Sequence, residues 1–453
     1  MRPKTIAILG AGITGLTAAY RLCKQGHRVR VFEQSSRVGG AIGSESVDGW
    51  LIEHGPNSLL ENESALSALL EELGLREQVC PANPSAKKRF IVRRGRPLAA
   101  PMSPPALLRT PLFSFGAKCR LLTELFQRPR QRAHDVSLAA FITDHFGREI
   151  VDYGINPFVG GVYAGDPEKL SAQHAFPTLW ASERQHGSLI RGMMAAAKAR
   201  KAVGQKRGGI ISFQRGLQTL PDALAAALPA GALQLQATVT ALIPGQPWTV
   251  RYPAGTETHE ETFDAVASAL PAGTLAELTL GHAATRPLAA LGQIEFPPVA
   301  SLCLGYHRSQ IAHPLDGFGV LVPAIEQRSI LGVLFSSTLF PGRAPQDHVA
   351  LTVMVGGCRQ PELATLPAET LLAHVQADLA QLLGVQGPPS FQRHRLWPRA
   401  IPQYNLGHER FLAAMTTCER DYPGFFIGGQ CRDGIAVPAC IAAGEKLAAR
   451  ASA

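Results

Sequence analysis

The chain opens on an apolar, β-prone run, "KTIAIL", and after three closely spaced glycines passes into "LTAAYRLCKQG", where Leu16, Ala19, Tyr20 and Leu22 recur at helical intervals. This pattern predicts a strand, a glycine turn and a helix. The run "HRVRVFE" alternates through Val29 and Val31 and predicts a second strand that ends on Glu33. At the far end, "GFFIGGQCRDGIAVPACIAAGEKLAARA" predicts a strand, a polar glycine loop and a helix opening near Pro438. Between these ends, "GFGVLVP" around Leu321 and "LTVMVGG" around Met354 read as strands. "KKRFIVRRG" predicts a hairpin strand with Phe90 and Val92 on one face and Arg89 and Ile91 on the other. "GLQTLPDALAAAL" carries Leu217, Leu220, Leu224 and Leu228 at helical spacing and predicts a helix packed on the opening unit. Pro101, Pro104, Pro105 and Pro111 mark the start of a helical insertion reaching to about residue 207, where "AKARKAVGQKRGG" reads as an exposed linker.

Alternation of strand and helix makes this an α/β chain, and 453 residues exceed one compact core, so two or three domains are expected. Eight cysteines include no C-x-x-C pair, which excludes a zinc ribbon or a thioredoxin-like site and leaves buried or reduced thiols. The first strand begins within a few residues of Met1, which predicts no cleaved leader and a cytoplasmic location; the sequon Asn62-Glu63-Ser64 is then a chance match. No run of about 18 apolar residues is present, so nothing is expected to span a bilayer. A formal charge of +9 suits nucleic acid, an anionic membrane or an acidic substrate equally. Fourteen histidines form no H-E-x-x-H or other close pair, and no G-x-S-x-G elbow occurs, so neither a metal site nor a serine nucleophile is expected.

The chemistry begins at Gly10, Gly12 and Gly15. In a strand–turn–helix unit the first glycine makes the turn, the second lets backbone N–H groups approach a pyrophosphate and the third packs helix on strand, with the helix N-terminus supplying positive potential. Glu33 falls where such a unit places the acid for the ribose hydroxyls, and it would repel a 2′-phosphate, which disfavours NADP. NAD and FAD both remain open on these residues.

With the further blocks "RVGG", Arg37 to Gly40, and "DGWLIEHGPNS", Asp48 to Ser58, the chain resembles the flavin-dependent amine oxidase superfamily. The resemblance implies FAD, held by Gly10, Ala11, Gly12, Ile13, Thr14, Gly15, Glu33, Gln34, Arg37, Gly40, Ala41, Gly55, Pro56, Asn57, Ser58 and Val239. It also implies that the closing turn Gly434, Ile435, Ala436, Val437 returns to the flavin, where the helix N-terminus would stabilise negative charge on the reduced ring.

Four internal blocks are similar to the protoporphyrinogen oxidase family: "DYGINPFVGGVYAGDPEKLS", "FPTLW", "SFQRGLQTLPDAL" and "IPQYNLGH". The likeness runs through nearly the whole chain in order. It implies FAD-dependent removal of six electrons from protoporphyrinogen IX as three hydrides, with dioxygen as acceptor and hydrogen peroxide as product. Such a substrate needs a flat apolar slot and an anchor for its propionates. The positions matching the family's pocket are Gly161, Leu321, Leu334 and Met354, with the Gly161 backbone nearest the reacting carbon, and Arg89 matches the propionate anchor. A planar guanidinium suits a carboxylate.

The same likeness implies a discontinuous Rossmann-like FAD-binding domain (1–85, 208–270 and 421–453), a mixed-sheet substrate-binding domain (86–96 and 271–420) and an α-helical membrane-binding insertion (97–207). Leu107, Leu108, Leu112, Phe113 and Phe115 crowd beside Arg109, Lys118 and Arg120, which predicts a monotopic segment whose apolar face enters lipid on the inner face of the cell membrane. A homodimer, hand-over of product to a chelatase and no nucleic-acid partner are also expected. Three rivals stand beside this reading. They are a coproporphyrinogen III oxidase acting on a four-carboxylate substrate, another flavin amine oxidase or desaturase in which Arg89 would be idle, and a non-catalytic porphyrin-binding scaffold.

Overall fold

The computed structural model describes residues 2–61, 64–202, 208–254, 257–281 and 283–453. A five-stranded parallel sheet is ordered Leu233–Gln234, Arg28–Phe32, Thr5–Leu9, Ala265–Ser268 and Phe425–Ile427. Its central strand is covered on both faces, which is why "TIAIL" reads as an unbroken apolar run. Ile6 and Ile8 enter one core with Leu16, Leu22, Ile441 and Leu447, while Ala7 and Leu9 enter another with Phe32, Trp248 and Phe425. Leu217, Leu220, Leu224 and Leu228 are all buried in the first of these cores, around the helix Thr219–Ala226.

The two ends of the chain meet here. The last helix, Val437–Ser452, packs along the first, Ile13–Lys24, so closely that a side chain on Gly444 would come within 2.5 Å of the Thr14 carbonyl oxygen. Thr14 Oγ1 also donates to the Cys440 carbonyl at 3.0 Å.

A seven-stranded mixed sheet runs in the order Phe391–Trp397, Val299–His307, His348–Gly356, Ile330–Leu334, Gly317–Leu321, Lys88–Arg93 and Arg96–Ala99. Only the join between Gly317–Leu321 and Lys88–Arg93 is parallel. The alternation read in "KRFIVR" is present: Phe90 and Val92 lie in the core with Val320, Val333 and Leu379, while Ile91 faces the helical insertion. Strand Arg96–Ala99 continues this sheet past residue 96, and the first helix of the insertion begins at Pro104 behind the N-cap Ser103. Helix Leu189–Ala202 occupies the first part of the stretch read as a linker; residues 203–207, like Asn62 and Glu63 of the sequon, lie outside the described residues.

The insertion has its own core around Leu112, Phe141, Trp180 and Leu189. Within it a buried polar cluster joins Arg132 to Glu183 at 2.8 Å and places His145 between Glu124 and Glu183 at 3.0 and 3.2 Å. The surface expected to enter lipid is corrected by this core. Leu112 and Phe113 are buried in it and Leu107 packs against it, whereas Leu108 and Phe115 are 64% and 81% exposed. Lys118 and Arg120 are committed to backbone carbonyls, of Thr110 at 2.7 Å and Thr143 at 2.9 Å. An amphipathic stripe fits a protein interior as well as it fits a membrane. Among the described residues no helix is long and apolar enough to cross a bilayer.

Candidate active site: a nucleotide cradle facing an apolar slot

The glycine turn follows the strand Thr5–Leu9 directly, and each glycine has a distinct geometric reason. Gly10 holds φ at +95°, the left-handed region that favours glycine. A Cβ on Gly15 would sit 1.9 Å from the Gly10 carbonyl oxygen, whereas one on Gly12 would meet nothing within 4 Å. The turn is therefore closed on its protein side and open at Gly12. The helix that follows has no side-chain cap, and neither does Val437–Ser452 beside it, so both present uncapped first-turn N–H groups. Paired uncapped N-termini suit a bound pyrophosphate and a ring that gains negative charge.

Glu33 lies at the end of the second strand, as the spacing predicts. Its Oε2 accepts from the Ala11 amide at 2.8 Å and its Oε1 from the Ser35 amide at 2.9 Å. Gln34 next to it is exposed. The following loop folds back onto the turn: the Gly39 amide donates to the Ala11 carbonyl at 2.9 Å, and a Cβ on Gly40 would be 3.3 Å from Gly12 Cα. Arg37 braces this loop internally, donating to the carbonyls of Ile42 and Gly40 at 2.7 Å each. Gly55 is pressed against Ala41, where a Cβ would stand 2.0 Å from its carbonyl oxygen, which brings Pro56, Asn57 and Ser58 to the same loop. Val239 packs on the core containing Phe32. These residues fit an FAD: a cradle with open volume, two helix N-termini and an acid at the ribose position.

The slot is built by register. Leu321, Gly332 and Met354 are paired in one row across three strands, and Gly319, Leu334 and Thr352 in another two residues along, with Val320, Val333 and Val353 between. Leu321, Leu334 and Met354 therefore share one face and are half-buried, while Val320, Val333 and Val353 on the opposite face are fully in the core. Helix Asn156–Tyr163 lies over the half-buried face, with Leu321 Cδ2 only 2.5 Å from where a Cβ on Gly161 would be. Ile91 is the cross-strand partner of Leu321, so Arg89, two residues away, belongs to the same face. The Arg89 guanidinium stands 5.2 Å from the Phe318 ring centre and makes no ion pair among the described residues. The structure thus gathers all five predicted substrate residues around one apolar wall, with the Arg89 guanidinium at its edge and Arg359, whose Nη1 has no hydrogen-bond partner, against Gly160 of the overlying helix.

A model of flavin-containing amine oxidoreductases matches residues 13–452. The chain belongs to that family. It is 37% identical to protoporphyrinogen oxidase 2, chloroplastic/mitochondrial, of Arabidopsis thaliana, over 98% of this chain and 93% of the relative. It is 27% identical to coproporphyrinogen III oxidase of Bacillus subtilis, over 98% of this chain and 96% of the relative. A solved bacterial structure from Exiguobacterium sp. 255-15 superposes with a TM-score of 0.82 at 24% identity, over 99% of this chain and 98% of that one, and so shares its fold. The cofactor of this flavoprotein is FAD.

Sequence reasoning missed the polar groups that hold these parts together. Glu53 and Arg343 form a buried pair at 3.0 Å between the cradle segments and the slot sheet, and Tyr404 and His408 reach the loop before Gly434. They are isolated in sequence, and only the blocks "DGWLIEHGPNS" and "IPQYNLGH" marked their neighbourhoods. The fold also brings ligand atoms of Asp135, His174 and Glu409 within 4.8 Å of one another, a grouping no sequence spacing foretells; His174 Nε2 and Glu409 Oε2 lie 3.6 Å apart there.

His408 carries a pH prediction. Its Nε2 donates to the Cys431 carbonyl at 3.0 Å, its Nδ1 is buried with no hydrogen-bond partner, and burial lowers it from 6.5 to about 4. The folded protein holds it neutral, so its contribution is complete above pH 6.5 and is lost as pH falls towards about 4. Urea titrations over that window should show about 3 kcal/mol of stability loss in the wild type that is missing from His408→Phe.

Proposed function

We propose that this flavoprotein oxidises protoporphyrinogen IX to protoporphyrin IX. The conversion removes six electrons as three hydrides, and dioxygen takes them up as hydrogen peroxide. FAD supplies the hydride acceptor when bound. The single observation that carries the reading is the slot: a flat face of Leu321, Leu334 and Met354 closed by Gly161, with the unpaired Arg89 beside it. Apolar walls orient a macrocycle and limit water around it, and Gly161 lets the overlying helix come close to that wall, since a Cβ there would stand 2.5 Å from Leu321 Cδ2. Gly161, Leu321, Leu334 and Met354 carry no titratable side chain, so protons released from the substrate pass to solvent or to backbone. Arg89 anchors one propionate.

The second reading is coproporphyrinogen III, supported by the Bacillus relative. The exposed Met102, Leu108, Phe115, Leu122 and Phe126 support peripheral seating of the insertion on a membrane; the cytoplasmic side, a homodimer and hand-over of an apolar product to a chelatase are further parts of the proposal.

Aerobic turnover of protoporphyrinogen IX, followed by porphyrin fluorescence and by peroxide, tests the proposal. Arg89→Ala is expected to raise KM about tenfold or more, from loss of a charge-assisted hydrogen bond, with kcat little changed and Arg89→Lys recovering part of the loss. An unchanged KM would remove Arg89 from the anchor.

A further inference from the structure

The segment from Ile401 to His408 ties the slot helix to the flavin-side loop through adjacent residues. Gln403 Nε2 donates to the carbonyl of Tyr163, the last residue of the slot helix, at 2.8 Å. Tyr404 turns the other way. Its hydroxyl accepts from the Gly434 amide at 3.0 Å and donates to the Gln430 carbonyl, bridging both ends of the short helix Gln430–Asp433. Gly429 and Gly434 on either side of that helix stand at φ +114° and +117°, so the loop has little intrinsic preference for this shape and depends on its anchors. The tyrosine ring is buried and stacks on His408 with centres 4.1 Å apart at 15°, and His408 Nε2 takes the Cys431 carbonyl between the two Tyr404 bonds.

We infer that Tyr404 is a positioning residue: its hydroxyl sets the loop before the Gly434–Val437 turn, and with it the helix N-terminus of Val437–Ser452, at a fixed height over the slot helix that Gln403 holds. The inference rests on the assignment of that turn to FAD. A hydroxyl alone can serve both loop ends, since it donates to a carbonyl and accepts from an amide at once. Phenylalanine keeps the ring and its stack on His408 but removes the one group that holds the Gln430 carbonyl and the Gly434 amide together, so both ends of the loop lose that anchor.

Tyr404→Phe, purified with FAD, is expected to raise the FAD dissociation constant about tenfold and to make the reduction potential of the bound flavin more negative, because the loop leading into the helix N-terminus loses its hydroxyl anchor. A hydroxyl of merely structural importance would lower the unfolding midpoint and leave both flavin readouts at wild-type values, which would overturn the inference. Wild-type protein that takes up no FAD would instead overturn the cofactor assignment beneath it. If Tyr404→Phe does not fold, amide hydrogen exchange of the wild type decides. Slow exchange of the Gly434 amide, matching that of residues 401–408 and slowed further by FAD, is expected; exchange at the rate of a free loop, unchanged by FAD, would contradict it.

Discussion

Gly15→Ala is expected to yield a protein that no longer retains FAD and is destabilised by at least about 3 kcal/mol, as overpacking against rigid structure requires. The added Cβ would sit 1.9 Å from the Gly10 carbonyl oxygen and 3.1 Å from its carbon, and neither can move without opening the turn itself. Gly12→Ala is the matched control. Gly12 is extended, with φ −70° and ψ 174°, and has no atom within 4 Å of the new Cβ, so the fold should be kept. Its methyl group would fill the volume left for the pyrophosphate, weakening FAD by more than about tenfold. Unfolding midpoints and FAD titrations on the two proteins separate the effects. Equal FAD affinity in Gly12→Ala and wild type would move the nucleotide elsewhere.

The second large effect is expected at Arg343. Its guanidinium, 3% exposed, pairs with Glu53 Oε1 at 3.0 Å and donates to Ser212 Oγ at 2.5 Å. Glu53 in turn accepts from the Leu217 amide at 3.0 Å and from Ser44 Oγ at 2.5 Å. One pair thus joins the slot sheet to three cradle segments. Arg343→Met should cost about 3–5 kcal/mol, because it leaves a buried carboxylate without its counter-charge. Replacing both partners, Arg343→Met with Glu53→Leu, should recover most of that loss, since the desolvation of both ions disappears with them. Denaturant unfolding of the single and double variants measures the cycle; a double variant as unstable as the single would show that Arg343 acts through packing.

Local signals and long-range ones differed in how much of this could be read from sequence. The first strand, its glycine turn and helix, the hairpin at Arg89 and the leucine stripe from Leu217 to Leu228 depend on periods of two or 3.6 residues and on turn chemistry, which short stretches carry within themselves. Amphipathicity between Leu107 and Phe115 records that a side is apolar and not what covers it: the insertion's own core covers Leu112 and Phe113, while Leu108 and Phe115 stay exposed. Gly161 and Leu321 are 160 positions apart in the chain, and their contact follows from sheet register and from the helix laid across it. Resemblance to a family named both residues, while spacing could not have joined them. Buried single polar residues were the least visible. Tyr404, His408 and Arg343 have no periodic pattern, and each acquires its role only when a distant backbone group arrives beside it.

A porphyrinogen is expected to deliver its electrons to FAD in the slot anchored by Arg89. Anaerobic mixing of the FAD-loaded protein with protoporphyrinogen IX, and separately with coproporphyrinogen III, followed by stopped-flow bleaching of the flavin, tests it most directly. Fast bleaching by the first and slow bleaching by the second is the predicted result. Bleaching mainly by coproporphyrinogen III would reassign the substrate, and a flavin that stays oxidised with both would rule out porphyrinogen oxidation.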